Sequence, residues 1–269
     1  MLTTSSIYAP SLRGNLLLRS LAPGDAQLLV PHLKRVELRT GEIVVSPDVP
    51  FTTVYFPETI VLCVRDAMRG DRQPALGLVG LEGMAGWSSL LGAVRSPFLA
   101  AAEMRGGTAL AISATRVQEA SAASDTLRGT LLRYAGNFMM QMASTIGSNA
   151  ADTVERRIAR WILMLHDRNE GDTLDLTHDH IASALYVRRA SVTDCFHVLE
   201  GDQIVRSTRG RLVVRDRARL ERVAGCAYGS VEARYGTEIA PFGKAIVGRG
   251  PRASSAFIPS PLQPRGVGA

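Results

Sequence analysis

Three cysteines, two lysines and no long apolar run mark this 269-residue chain first by what it lacks. Cys63, Cys195 and Cys226 are scattered without CxxC spacing, so a cysteine-held zinc or iron–sulfur cluster is not supported. Cys63 lies in a strand-like apolar run and Cys195 on the inward side of a helix, so both read as core residues. Such cysteine usage makes the reducing cytoplasm the expected compartment. No stretch of eighteen apolar residues exists, so no membrane span is expected. The opening MLTTSSIYAPSLRGN has neither a basic start nor an apolar core, which argues against a signal peptide. GxSxG, Walker and HExxH motifs are missing. The glycine-rich GLVGLEG (77–83) follows a β-like run but leads into no clear helix. No catalytic residue, metal site or cofactor is therefore expected, and the chain reads as a non-enzyme.

What is present fits two domains of ordinary size, with 46% hydrophobic residues. A net charge of +6 permits a polyanionic partner without proving one. From Gly225 onward the chain carries half of that excess, so the overall charge overstates that of the folded part.

Residues 1–13 read as a loose leader, and residues 14–33 as short helices broken at Pro23-Gly24 and Pro31. Seven β-like runs follow, at 36–38, 42–46, 52–57, 60–66, 74–79, 98–104 and 108–113. Gly, Pro and Asp turns separate them, as in a small sandwich or barrel. From Ser124 to about Ala151, Leu127, Leu131, Tyr134, Phe138 and then Gln141 or Met142 recur at helical spacing, with Met142 taken for the seam. Such a seam suits a helix lying on its own domain. Its narrowness, and its place between two domains, favour a seam between two copies. A second helix over 153–167 turns Ile158, Trp161, Ile162 and Leu165 inward. Beyond Val223 a Gly/Pro/Ser-rich stretch without periodicity predicts a disordered tail over 224–269.

Residues 176–214 carry the most information. A capped helix opens at Thr177 and runs through Ile181, Ala182 and Leu185; a turn at Tyr186-Val187 leads into a second helix at Arg188. The spacing of Ile181, Leu185, Val187, Val192 and Cys195 packs a helix-turn-helix. Tyr186 occupies a turn position that prefers glycine. Arg188, Arg189, Ala190, Ser191, Thr193 and Asp194 remain outward on the first turns of the second helix, where such units meet base edges. A hairpin follows, turning at Arg209-Gly210 with Arg211 beside it, which completes a winged helix. His178 reads as a phosphate contact and Arg209 as a backbone contact. A protein-binding winged helix is the competing reading, although clustered arginines gain such a module little.

Together these parts resemble the Crp/Fnr family of bacterial transcription regulators over roughly residues 14–222. Gly41-Glu42-Ile43 with Val54-Tyr55-Phe56 is similar to the family's opening strands, and ERRIARWILMLHDR (155–168) with LTHDHIASALYVRRASVT to its DNA-binding domain. The resemblance implies an α+β chain with a β-roll like the cyclic-nucleotide-binding domain at 14–123. A connecting dimerisation helix at 124–151 and a winged helix-turn-helix at 152–223 complete it. It implies a homodimer on a palindromic DNA operator, with RNA polymerase as a further partner. Arg189 aligns with the family's guanine-reading arginine, and its reading as a phosphate clamp stays open. Ala190 stands where a Glu is frequent and offers only a methyl contact.

The family's phosphate-binding cassette pairs a Gly-Glu step with an Arg about ten residues on. Here Gly86 aligns, Trp87 replaces the Glu, and Arg95 matches only after one residue is dropped. Tryptophan has no acceptor for a ribose hydroxyl, so the pocket reads as degenerate and filled. The expected effector is unidentified and not a cyclic nucleotide; a cyclic-nucleotide-responsive regulator is the alternative. His32 reads as a surface residue, and His178 and His180 point to different sides of a helix, which disfavours chelation.

Overall fold

The computed structural model describes residues 12–67 and 73–244. Most of the expected leader lies outside the described residues, and Leu12–Gly14 forms a 3-10 turn. Two short helices, α1 (Leu16–Arg19) and α2 (Pro23–Leu29), open the chain. Asn15 caps α1 and, fully buried, also donates to the carbonyls of Pro57 and Gly83 at 2.8 and 3.0 Å.

All seven expected strands form: β1 (Lys34–Leu38), β2 (Ile43–Val45), β3 (Thr53–Pro57), β4 (Leu62–Asp66), β5 (Ala75–Val79), β6 (Phe98–Ala102) and β7 (Gly107–Ser113). They make two antiparallel sheets, ordered β1-β7-β3 and β2-β6-β4-β5. Val54, Phe56, Leu62, Val79, Leu110 and Ile112 from both sheets fill the space between them.

Helices α3 (Ala114–Ala123) and α4 (Asp125–Ala151) follow. The Ser124 hydroxyl accepts from Leu127 N at 3.2 Å, capping α4, and donates to buried Asp25 at 2.6 Å. The expected seam between copies is corrected here. Leu127, Leu131, Tyr134 and Phe138 are each at most 2% exposed, and half-buried Met142 packs on the same core. They face the chain's own β-roll, because an open sheet end needs an apolar cover. Phe138 lies 5.3 Å from Trp87, the Tyr134 hydroxyl donates to Met84 O at 3.3 Å, and Gln141 Oε1 accepts from Leu78 N at 2.6 Å. The opposite face of α4 exposes a second apolar stripe, in which Leu132, Met139 and Ile146 are 38%, 49% and 61% exposed.

The GLVGLEG stretch finds its role in this contact. A Cβ on Gly83 would stand 2.2 Å from the Tyr134 hydroxyl, and one on Gly80 2.7 Å from Arg168 Cγ. Only glycine lets these side chains seat there.

The C-terminal unit contains α5 (Val154–Asp167), β8 (Thr173–Leu174), α6 (His178–Leu185), α7 (Arg189–Gly201), β9 (Val205–Thr208), β10 (Arg211–Val214) and α8 (Arg217–Ala224). Ile158, Trp161, Ile162 and Leu165 are buried as expected. The tail expectation is corrected over part of its length. After a 3-10 turn at Gly225–Ala227, α9 (Ser230–Glu238) forms and packs, with Val231, Tyr235 and Phe242 buried. Its apolar residues at i and i+4, Val231 and Tyr235, find a surface that outweighs the Gly-rich composition. The rest of that expectation, over 245–269, lies outside the described residues.

Candidate nucleic-acid interface

The helix-turn-helix follows from local chemistry. The Thr177 hydroxyl accepts from His180 N at 3.2 Å and caps α6. Tyr186 ends α6 with φ 52° and ψ 51°, the left-handed conformation that costs a non-glycine residue about 1–2 kcal/mol. The turn holds because Val187 N donates to Ala182 O at 3.0 Å and the Arg157 guanidinium donates to the Leu185 carbonyl. Burial lowers the pKa of Arg157 from its ordinary value. Ile181, Leu185, Val192, Phe196 and Leu199 lock the two helices together.

Arg188 sits at the N-cap of α7, and Arg188, Arg189, Ala190 and Asp194 are exposed on its opening turns. Arg189 Nε lies 3.1 Å from Asp179 Oδ1, with both side chains about two-thirds exposed. An ion pair this open is worth about 0–1 kcal/mol, so Arg189 can leave it for a base or phosphate at little cost. Ser191 is half-buried. Thr193 departs from its expected outward place. Its hydroxyl donates to Arg189 O at 3.2 Å and lies 3.2 Å from His178 Nδ1. The His178 ring also packs on Phe196, with centroids 4.6 Å apart. These two residues brace α6 against α7.

In the wing, β9 and β10 pair in register from Val205–Val214 to Thr208–Arg211, and β8, unmarked in the sequence by its length of two residues, adds a third strand. Gly210 takes φ 71° at the tip, and Arg209 and Arg211 are exposed beside it, Arg211 lying 3.5 Å from Asp175. Arg206 and Arg215 are exposed on the same hairpin. Strand alternation, with Val205 and Ser207 turned inward, is the signal that could have named Arg206.

The pocket beside Gly86 and Trp87 is small. Gly86 and Trp87 meet Val45, Phe51, Val64, Phe98 and Ala100 around a cavity of about 10 Å³. Trp87 is 6% exposed, with its ring 6.4 Å from that of Phe98. Arg95 is not brought into this lining; it is exposed and donates to the Asp48 carbonyl at 2.6 Å. Among the described residues no group of three His, Cys, Asp or Glu could hold a metal, and no helix is long and apolar enough to cross a membrane.

Comparison with known proteins agrees with this geometry. Residues 156–223 match the Crp-like helix-turn-helix domain. No curated protein sequence matches the chain. Among solved structures, the chain is similar to FixK2 from Bradyrhizobium japonicum, with 16% identity, a TM-score of 0.64, and coverage of 73% of this chain and 99% of that one. It is also similar to a Crp/Fnr-family transcriptional regulator from Eubacterium rectale, with 17% identity, a TM-score of 0.60 and coverage of 77% and 97%. A third likeness is to the c-di-GMP-responsive regulator CLP from Xanthomonas campestris, with 17% identity, a TM-score of 0.57 and coverage of 72% and 99%. Residues 156–223 thus carry a Crp-like helix-turn-helix domain, and the chain shares the fold of solved Crp/Fnr-family regulators.

Proposed function

We propose that this Crp/Fnr-type regulator binds a two-fold symmetric DNA site as a homodimer, with α7 in the major groove. The observation that carries the reading is the exposed opening of α7, where Arg188, Arg189 and Ala190 stand clear of the core beside a wing bearing Arg206, Arg209, Arg211 and Arg215. Arg189 is the base reader, its fork matching the two acceptors of guanine. Arg188 and Ser191 take neighbouring phosphates or bases, Ala190 offers a methyl, and Asp194 lies further along the same helix. His178 and Thr193 position α7 through their contact with each other. RNA polymerase is the further partner this reading implies, the cytoplasm its compartment, and no catalysis is assigned.

The second copy docks on the outer stripe of α4. Leu132, Gly136, Met139, Ala143, Ile146 and Ala150 are exposed and alternate at intervals of four and three, the spacing of a coiled-coil seam. Small residues at 136, 143 and 150 allow close helix approach.

The pocket favours a regulator that does not answer to a cyclic nucleotide. A cavity of about 10 Å³ is far below the roughly 300–1,000 Å³ of ligand sites, and Trp87 fills the place a carboxylate would need. Calorimetry with millimolar cAMP or cGMP is expected to register no saturable heat; micromolar binding would overturn this part.

Selection of bound sites from random DNA, repeated with Arg189→Ala, tests the function. The unaltered chain should select a palindrome with a steep negative salt slope. Arg189→Ala should lose preference at one position in each half-site, about 1–3 kcal/mol of discrimination. A uniform loss over all sequences, with the salt slope reduced by about one unit, would make Arg189 a phosphate clamp instead.

A further inference from the structure

The two units are joined through two non-helical residues. Helix α4 ends at Ala151, Asp152 is extended with φ −95° and ψ 153°, and Thr153 already caps α5. Such a joint would by itself let the winged unit swing. The segment after α8 crosses it and bonds to both sides. Toward the β-roll and α4, the Tyr235 hydroxyl donates to Glu82 O at 2.6 Å, and Asn137 Nδ2 donates to Val231 O at 3.1 Å. Toward the winged unit, Arg160 Nε donates to Ala227 O at 2.9 Å. Asp167 accepts from Lys244 N at 3.1 Å and from the Tyr228 hydroxyl.

Beneath this segment lies an ion pair between the units. Arg168, at the end of α5, places Nε and Nη2 at 2.9 and 2.7 Å from Glu82 Oε1. Arg168 and Glu82 are 4% and 3% exposed. The Phe242 ring covers the guanidinium at 5.1 Å and meets the Tyr235 ring at 5.3 Å. Water would screen this pair, and the cover that residues 235 and 242 supply keeps its attraction strong, against the desolvation cost of burying both charges. The space left among Glu82, Tyr134, Arg168, Glu232 and Tyr235 is about 10 Å³, room for at most one water, so the junction closes without a ligand.

We infer that residues 225–244 are a strap that locks the winged unit onto the β-roll and pre-orients α7, a task for which the Trp87-filled pocket leaves no cyclic nucleotide. The orienting part of this inference rests on the proposed DNA binding; the locking part does not. The strap follows directly on α8, the last helix of the winged unit. Beneath it, Gly80 leaves the space through which Arg168 reaches Glu82, and Gly83 the space that Tyr134 occupies.

The test is a full-length double variant, Tyr235→Ala with Phe242→Ala, beside the milder Tyr235→Phe, which removes only the hydroxyl at Glu82 O. Calorimetry of the unaltered chain should give one cooperative transition and the double variant two, with circular dichroism unchanged at room temperature. Hydrogen exchange across residues 150–158 should quicken about tenfold in the double variant and less in Tyr235→Phe. A single transition and unchanged exchange in a folded variant would overturn the strap. If the double variant does not fold, unchanged exchange in Tyr235→Phe overturns it equally. At a selected operator the double variant should bind about tenfold more weakly while still dimeric. Unchanged affinity with a loosened joint would overturn the orienting role. Failure of the unaltered chain to bind any DNA would count against the proposed function, and exchange and calorimetry would still decide the strap.

Discussion

The two faces of α4 carry apolar stripes of the same period and meet opposite fates. The inner face, Leu127, Leu131, Tyr134 and Phe138, is sealed against the β-roll, whereas Leu132, Met139 and Ile146 on the outer face stand in solvent. The difference teaches that helical spacing reports a face without saying what covers it. The inner residues are the larger, with two aromatics that fill the irregular end of a sandwich. The outer stripe is thinner and interleaved with Gly136, Ala143 and Gly147, a shape suited to a second helix at close range.

The sharpest way to break this comparison is to place the same charge on each face in turn. Phe138→Asp puts a carboxylate against Trp87 with no partner, and should destabilise the fold by more than about 4 kcal/mol, enough to unfold many domains. Met139→Asp, one residue on, should leave the thermal transition of the β-roll in place and convert the dimer to monomer in light scattering. If Phe138→Asp instead gave a folded monomer, the two faces would have to exchange roles. Both variants should lose operator binding, so only the folding measurement separates them.

Acid gives a gentler probe, because neither face of α4 carries a group that titrates between pH 5 and 7. His166, in α5, is 2% exposed and lies 2.8 Å from Arg217 through Nδ1 and 2.9 Å from Asp172 through Nε2. Arginine only donates, so Nδ1 must accept and Nε2 carries the proton toward Asp172. A second proton would face Arg217, and burial, ahead of the Lys244 and Arg217 charges, holds His166 below its ordinary 6.5 against the upward pull of Asp172. The folded chain therefore binds fewer protons than the unfolded one in that window, and stability falls as pH drops below about 6.5. Denaturation midpoints of the winged unit should decline from pH 7 to 5 and flatten in His166→Gln, while the dimer seam stays insensitive. An equal slope in the variant would remove His166 from this role.

Much of the molecule was legible in advance because its local signals are strong. Alternation broken by Gly, Pro and Asp turns marked all seven strands of the β-roll, and the Thr177 cap with the Ile181 to Phe196 spacing marked the helix-turn-helix. The strain at Tyr186 was visible as a bulky residue at a glycine position. What failed depended on distant partners. The inner seam needed knowledge of where the sheet ends, and the strap was hidden because Val231, Tyr235 and Phe242 sit in a Gly- and Pro-rich stretch. The Arg168–Glu82 pair spans 86 residues and leaves no periodic trace. At the opening of α7, exposure of Arg188 and Arg189 followed from helix geometry, but the turning of Thr193 toward His178 did not.

The loop that receives α4, the strap and Arg168 offers mostly main chain. Carbonyls of Glu82, Gly83 and Met84 accept from Tyr235, Asn15 and Tyr134 respectively, and Gly80 and Gly83 contribute vacant space. Scanning mutagenesis therefore reads backwards at these glycines. Alanine, chosen elsewhere to delete a side chain, inserts one there, 2.2 Å from the Tyr134 hydroxyl at Gly83. A large loss at Gly80 or Gly83 would measure displaced neighbours rather than a missing interaction, while truncating Tyr134, Tyr235 or Asn15 leaves a carbonyl without its donor. The same junction thus tolerates neither gain on one side nor loss on the other, and its sequence can drift only by exchanging one donor for another.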